Sequence, residues 1–214
     1  MQPHNGILVS GDLLTRLPII LTMINIPVHL QDTRDLLTAQ GFTTSNTWYH
    51  GTSSALIETI RKQGLIRSGD HALKDAEKKT MATIGITSGS SYTELIDPVV
   101  LTPSKALAFY WAEQAVHNRS VRIKNSGQPV VVSVTLPDEL NHQVKPDVGA
   151  ASLLLLKEGE NFMAYLAGIY QAHGRDGPTI ELMHADRNDY LSILGMAYIN
   201  ADIEAAYVKL ITDE

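Results

Sequence analysis

The apolar residues of this chain change period repeatedly, from the alternation of a strand to the three-and-four spacing of a helix. Residues 47–50 read as a short strand through Trp48, Tyr49 and His50. Gly51, Thr52 and Ser53 follow. Ser53 or Ser54 then supplies the N-cap of a helix that carries Ala55, Leu56, Ile57, Ile60 and Leu65 and stops at Gly64. Residues 66–98 are rich in Ser, Thr, Gly and charge, with brief β-like runs such as 83–87. They read as a long loop, of the kind that is functional or disordered inside a compact domain. A second strand is predicted at 99–102, with Pro103 at the first turn of a helix over 105–117. The clearest strand is 128–136, where Val130, Val131, Val132 and Val134 precede a terminating Pro137, and its apolar character makes it central in a sheet.

The flanking regions are less regular. Residues 13–30 are apolar but broken by Arg16, Pro18, Pro27 and His29, so they read as core-packing strand or helix and not as a membrane span. Residues 33–40 have helical spacing that ends at Gly41, and 42–46 form a polar connector. The expected organisation is therefore an extension over 1–46 packed on a working domain over 47–214. Late in the chain, 150–156 and 161–173 look helical, Gly174 to Pro178 is a turn, and 179–183, 191–200 and 206–211 are strand candidates.

Composition narrows the chemistry. The 214 residues hold no cysteine, which excludes disulfide scaffolds, thiolate metal sites and cysteine nucleophiles. The eight histidines show no metal-ligand spacing, so no metal is expected. A net charge of −6 argues against nucleic-acid affinity carried by bulk charge, so such a partner needs a local patch. The run 61–79 holds Arg61, Lys62, Arg67, Lys74, Lys78 and Lys79, but Glu58, Asp70, Asp75 and Glu77 make it a solvated surface of mixed charge. With no cleavable signal read at the start, a cytoplasmic location is expected.

The chemical signal is a series in fixed order. It begins with the strand, His50-Gly51-Thr52 and a helix ending in Gly64-Leu65. After the loop come the strand 99–102 and a helix with Ala108 and the pair Trp111-Ala112. This order resembles the ADP-ribosyltransferase superfamily, in the diphtheria-toxin and poly-ADP-ribose-polymerase branch whose first motif is His-Gly-Ser/Thr. The resemblance spans roughly residues 47–136. It implies an α+β fold in which split antiparallel sheets, flanked by helices, form a cleft for NAD⁺ as co-substrate. Gly51 would offer its backbone to the nicotinamide amide, His50 both ring nitrogens to the adenosine-side ribose, and Thr52 a hydroxyl nearby. Thr102 would lie at the same cleft, and Trp111 or Tyr110 would hold the cationic ring on an aromatic face.

The departures from that family matter as much. Its chain-elongating members carry a glutamate at the start of the fifth strand, a few residues before an Ile-x-x-x-x-Val ending. That ending matches Ile203 to Val208 here, which puts the glutamate position among Leu194, Gly195 and Met196. None is acidic, and Val100 stands where polymerases have a second-strand tyrosine. The resemblance thus implies mono-ADP-ribosyl transfer to a macromolecular target, protein or nucleic acid, with Glu181 and Glu204 as substitute carboxylates if the strands align otherwise. The alternatives are a weakly catalytic module that binds NAD⁺ or ADP-ribose, and an NAD-dependent RNA 2′-phosphotransferase. A small stand-alone transferase is also what a bacterial or phage toxin or effector would be, with an antitoxin as a further partner.

Overall fold

The computed structural model describes residues 25–83, 97–182 and 184–212. The strands are β1 (Leu37–Thr38), β2 (Gly41–Phe42), β3 (Thr47–Ser53), β4 (Val99–Leu101), β5 (Pro129–Thr135), β6 (Lys145–Pro146), β7 (Ala197–Ile199) and β8 (Val208–Leu210). The helices are α1 (Thr33–Leu36), α2 (Ile57–Gln63), α3 (His71–Thr83), α4 (Lys105–Arg122), α5 (Asp138–Asn141), α6 (Ala150–Leu154), α7 (Lys157–Ala172) and α8 (Asp189–Ser192). This is an α+β fold with small antiparallel sheets. One sheet has the order β3-β5-β8, the other β4-β7-β6, and a hairpin joins β1 to β2. The valine-rich β5 is central in its sheet, as its composition predicts.

The two three-stranded sheets share one core. Trp48, Val132 and Val134 from the first meet Val99, Leu101, Ala197 and Ile199 from the second, with Ile57 and Ile60 of α2 closing the side. Helix α4 covers the opposite face of the first sheet, where Ala108 and Phe109 bury against Val131. Its outer side forms a second, largely aromatic core with α7 through Tyr110, Phe162, Tyr165 and Leu166. Residues from before the working domain join in. Leu30 packs with Phe109 and Val131, and the Asp32 carboxylate caps α4 by accepting from the Lys105 amide (2.6 Å) and the Ser104 hydroxyl (2.8 Å). Burial dominates over these bonds and holds the Asp32 pKa above its usual value.

Several local expectations change. The 33–40 segment is a four-residue helix followed by a hairpin, and Gly41, at φ 103°, serves that hairpin where a helix C-cap was expected. The supposed loop 66–98 contains the 13-residue α3, and the partly buried Arg119–Asp70 pair ties the start of this segment to the C-terminal half of α4. Residues 84–96 of that loop, and residues 1–24 of the apolar start, lie outside the described residues. Pro103 precedes α4, whose N-cap is Ser104. The candidate strand 179–183 is irregular at the described residues, and 191–200 holds only the short β7, preceded by α8. Helix α7 begins at Lys157, earlier than expected, and α5 and β6 carry too little apolar pattern to be read.

Candidate functional site at the edge of strand β3

The two sheets touch at one point of register. Tyr49 and Thr102 exchange both backbone hydrogen bonds, at 2.9 and 3.0 Å, and the pairing stops there. In an antiparallel strand successive residues turn their N–H and C=O to opposite sides. Tyr49 turns them towards β4, so His50 turns its own towards β5 and Gly51 again towards β4. Had the ladder continued, Gly51 would face Val100. Instead the His50 ring fills that place, with Nδ1 2.8 Å from the Val100 carbonyl oxygen. Gly51 thus presents one N–H and one C=O along an open strand edge, with no partner on that side among the described residues.

A carbonyl can only accept, so His50 Nδ1 carries the proton and Nε2 is left as a lone-pair acceptor. Burial lowers the His50 pKa below the ordinary 6.5, against the opposing pull of the Val100 carbonyl. The ring is therefore neutral at physiological pH. This corrects the expectation that both nitrogens reach the ligand: one belongs to Val100, the other is available.

Glycine at position 51 is dictated by the helix behind the strand. A Cβ there would collide with the Ala108 carbonyl and the Ala112 amide of α4, so the helix backbone lies directly on the strand. Alanines on α4 and the absence of a side chain at Gly51 on β3 make the close approach possible. The missing Cβ was expected to admit the nicotinamide; what it admits is α4, and the polar edge lies at right angles to that contact.

The other expected site residues are dispersed. Thr52 is buried next to Ser53, on the face shared with His50. Thr102 is also buried, and its roles are local: its backbone holds Tyr49, and its hydroxyl oxygen lies 3.4 Å from the Ser104 amide. Tyr110 stacks on Tyr165 with centroids 4.9 Å apart, and Trp111 stacks on Phe162 at 5.0 Å. Both rings are thereby committed to the α4–α7 core, since α4 turns Ala108 and Ala112 to Gly51. Glu181 has a side chain 77% exposed and pairs with His184 at 3.0 Å in the loop after α7. Glu204 is exposed and leads into the short turn before β8. No contact of either with Gly51 or His50 is found among the described residues.

The start of β7 is closed as well. Leu194 and Met196 are buried, and Gly195 has φ 66° with Leu107 where a side chain would stand. None of the three residues offers a carboxylate. Compared with known proteins, the chain matches no family model, no curated protein and no solved structure. Among the described residues no helix is long and apolar enough to cross a membrane, and no group of three or more acidic or histidine side chains gathers as a metal site.

The residue that the sequence reading missed is Val100, through its carbonyl. Side-chain type carries no information on that role; it follows from where the β3–β4 ladder ends.

Proposed function

We propose that the chain binds NAD⁺ at the Gly51 edge and transfers ADP-ribose to a macromolecular acceptor, as a mono-ADP-ribosyltransferase. The observation that carries the reading is the unpaired N–H and C=O of Gly51. A carboxamide has one acceptor and one donor in the complementary arrangement, and a strand edge receives it as it would receive another strand. His50 Nε2, fixed by the Val100 bond, accepts from a ribose hydroxyl. Cleavage of the glycosidic bond leaves its electron pair on the nicotinamide nitrogen, and the acceptor nucleophile bonds to the ribose carbon and loses its proton. Positioning supplies most of what such a step requires. With no carboxylate at the start of β7, proton removal falls to the acceptor itself or to water.

That closed position is also the observation favouring a module that binds NAD⁺ without turnover. Incubation with NAD⁺ labelled in the adenylate moiety and a cell lysate separates the two, with free nicotinamide and labelled macromolecule measured together. Transfer predicts both products, and it predicts them unchanged in Glu181→Gln and Glu204→Gln. Binding of NAD⁺ with neither product would establish the module instead. Loss of product in either glutamate variant would contradict the placement of the site.

A further inference from the structure

The strand register extends the Gly51 edge into a row. Gly51 points at Val100, Val100 pairs with Tyr198 of β7, and Tyr198 pairs with Lys145 of β6. Strands lie roughly 4.8 Å apart, so the row runs about 14 Å from Gly51 to Lys145. Its side chains share one face of the second sheet, opposite the buried Leu101 and Ile199. That face is open, for Val100 is 42% exposed where a core strand would be covered. At the far end of the row lies a cleft of about 380 Å³, lined by His142, Gln143, Lys145, Tyr198 and Asn200. This is the lower end of the size range of ligand sites.

The chemistry of the lining is selective. It holds one cation, one aromatic ring, two amides and an imidazole, and no carboxylate. Lys145 makes no ion pair among the described residues, whereas the neighbouring Arg67 is committed to Asp202 at 3.1 Å. Asn200 accepts from Arg67 at 3.3 Å through its carbonyl oxygen, which leaves its N–H groups as donors. An unpaired cation beside an aromatic ring, with amides that both donate and accept, suits a phosphate, a stacked base and the edge of that base. The main chain of a peptide carries no anion and no aromatic face that repeats at every residue, as a nucleic-acid strand does.

We infer that the cleft binds a single strand of nucleic acid and holds it as the acceptor of the transfer, an assignment that rests on the NAD⁺ reading for the word acceptor but not for the binding. With one cation in contact and a net charge of −6, the binding is weak and depends little on salt. Tyr198 supplies stacking and Lys145 neutralises one phosphate.

The test is fluorescence anisotropy of a labelled single-stranded oligonucleotide with the purified chain, without NAD⁺, across a salt series. Tyr198→Leu should weaken binding about five- to a hundredfold while Tyr198→Phe retains it, because stacking needs the ring and not the hydroxyl. Lys145→Gln should lower the salt slope by about 0.7, the value for one phosphate of a single strand. Thermal unfolding of each variant shows that the fold is intact. Absence of oligonucleotide binding, or equal binding by Tyr198→Leu, overturns the inference. So does a lysate experiment in which label enters protein and never nucleic acid. Nicotinamide release that persists when oligonucleotide binding is absent removes this inference alone. Oligonucleotide binding without any nicotinamide release or NAD⁺ affinity removes the donor-site reading instead, and the acceptor role with it.

Discussion

The Gly51 edge and the Tyr110–Trp111 cluster lie on opposite sides of the same helix, and both stand out in the sequence for the same ligand. One is a strand edge with unpaired backbone groups and a neutral imidazole beside them. The other is a cluster of rings, with the buried Tyr110 on Tyr165 and the partly buried Trp111 on Phe162, all joined in one core. The difference shows what decides between a packing and a binding role. An aromatic ring whose faces are taken by other rings has completed its interactions, whereas a peptide group turned out of a terminated ladder has not.

The packed side is the more sensitive of the two to a single substitution. Phe162→Ala empties a fully buried ring site between Tyr110 and Trp111 and should cost about 3 to 5 kcal/mol of stability. NAD⁺ affinity of the fraction that remains folded should be unchanged. Denaturant unfolding and binding calorimetry below the transition check both, and a selective loss of affinity would place the aromatic cluster back at the donor site.

Gly51→Ala touches both regions at once. The added methyl must push α4 away from β3, at about 1 to 3 kcal/mol if the helix can shift. The same displacement disturbs the open edge, so NAD⁺ binding should fall further than stability alone explains. A variant that is stable and binds normally would show that α4 does not set the geometry of the edge.

His50 sharpens the open side. Its replacement by alanine removes a contact to the ligand worth about 0.5 to 1.5 kcal/mol, and transfer should fall by more because the ribose is no longer positioned. The pH dependence has a definite sign. Folding holds the His50 pKa below 6.5, so well above 6.5 both folded and unfolded chains have it neutral and it adds no slope. As pH falls below 6.5 the unfolded chain takes the proton first, and the folded chain loses stability. The stability difference between wild type and His50→Gln should therefore be flat well above 6.5 and shift against wild type as pH falls through it. NAD⁺ affinity should fall with a midpoint below 6.5, since the folded ring keeps Nε2 as an acceptor to lower pH than a free imidazole does. A loss of affinity centred at 6.5 would mean that the ring titrates as an exposed histidine.

How much of this could be read from the residues alone depends on where each interaction originates. Strands β3, β4 and β5 were legible because Trp48, Leu101 and the valines around Val132 write burial directly into local alternation. The helix α3 was not, because its sequence is mostly polar and charged and Arg119, far along the chain, anchors the segment by pairing with Asp70. Residues 33–42 gave a helix pattern up to Gly41, yet Leu37 and Phe42 are buried by pairing in a hairpin, a tertiary preference that local spacing does not encode. At the site, His50, Gly51 and Thr52 could be singled out by type. What makes Gly51 special is a register: Tyr49 pairs with Thr102, fifty-odd positions away, and nothing pairs after it. Tyr110 and Trp111 misled because aromatic residues serve a core and a ligand equally well until their neighbours are known.

The central claim concerns one peptide group, and amide hydrogen exchange of the isotopically labelled protein reads it directly. The Gly51 N–H should exchange freely in the protein alone, in contrast to the ladder-bonded His50 and Thr52 amides on either side, and should become protected and shift when NAD⁺ or nicotinamide is added. A Gly51 amide already protected without ligand, or one that neither shifts nor gains protection at saturating NAD⁺, would contradict the account.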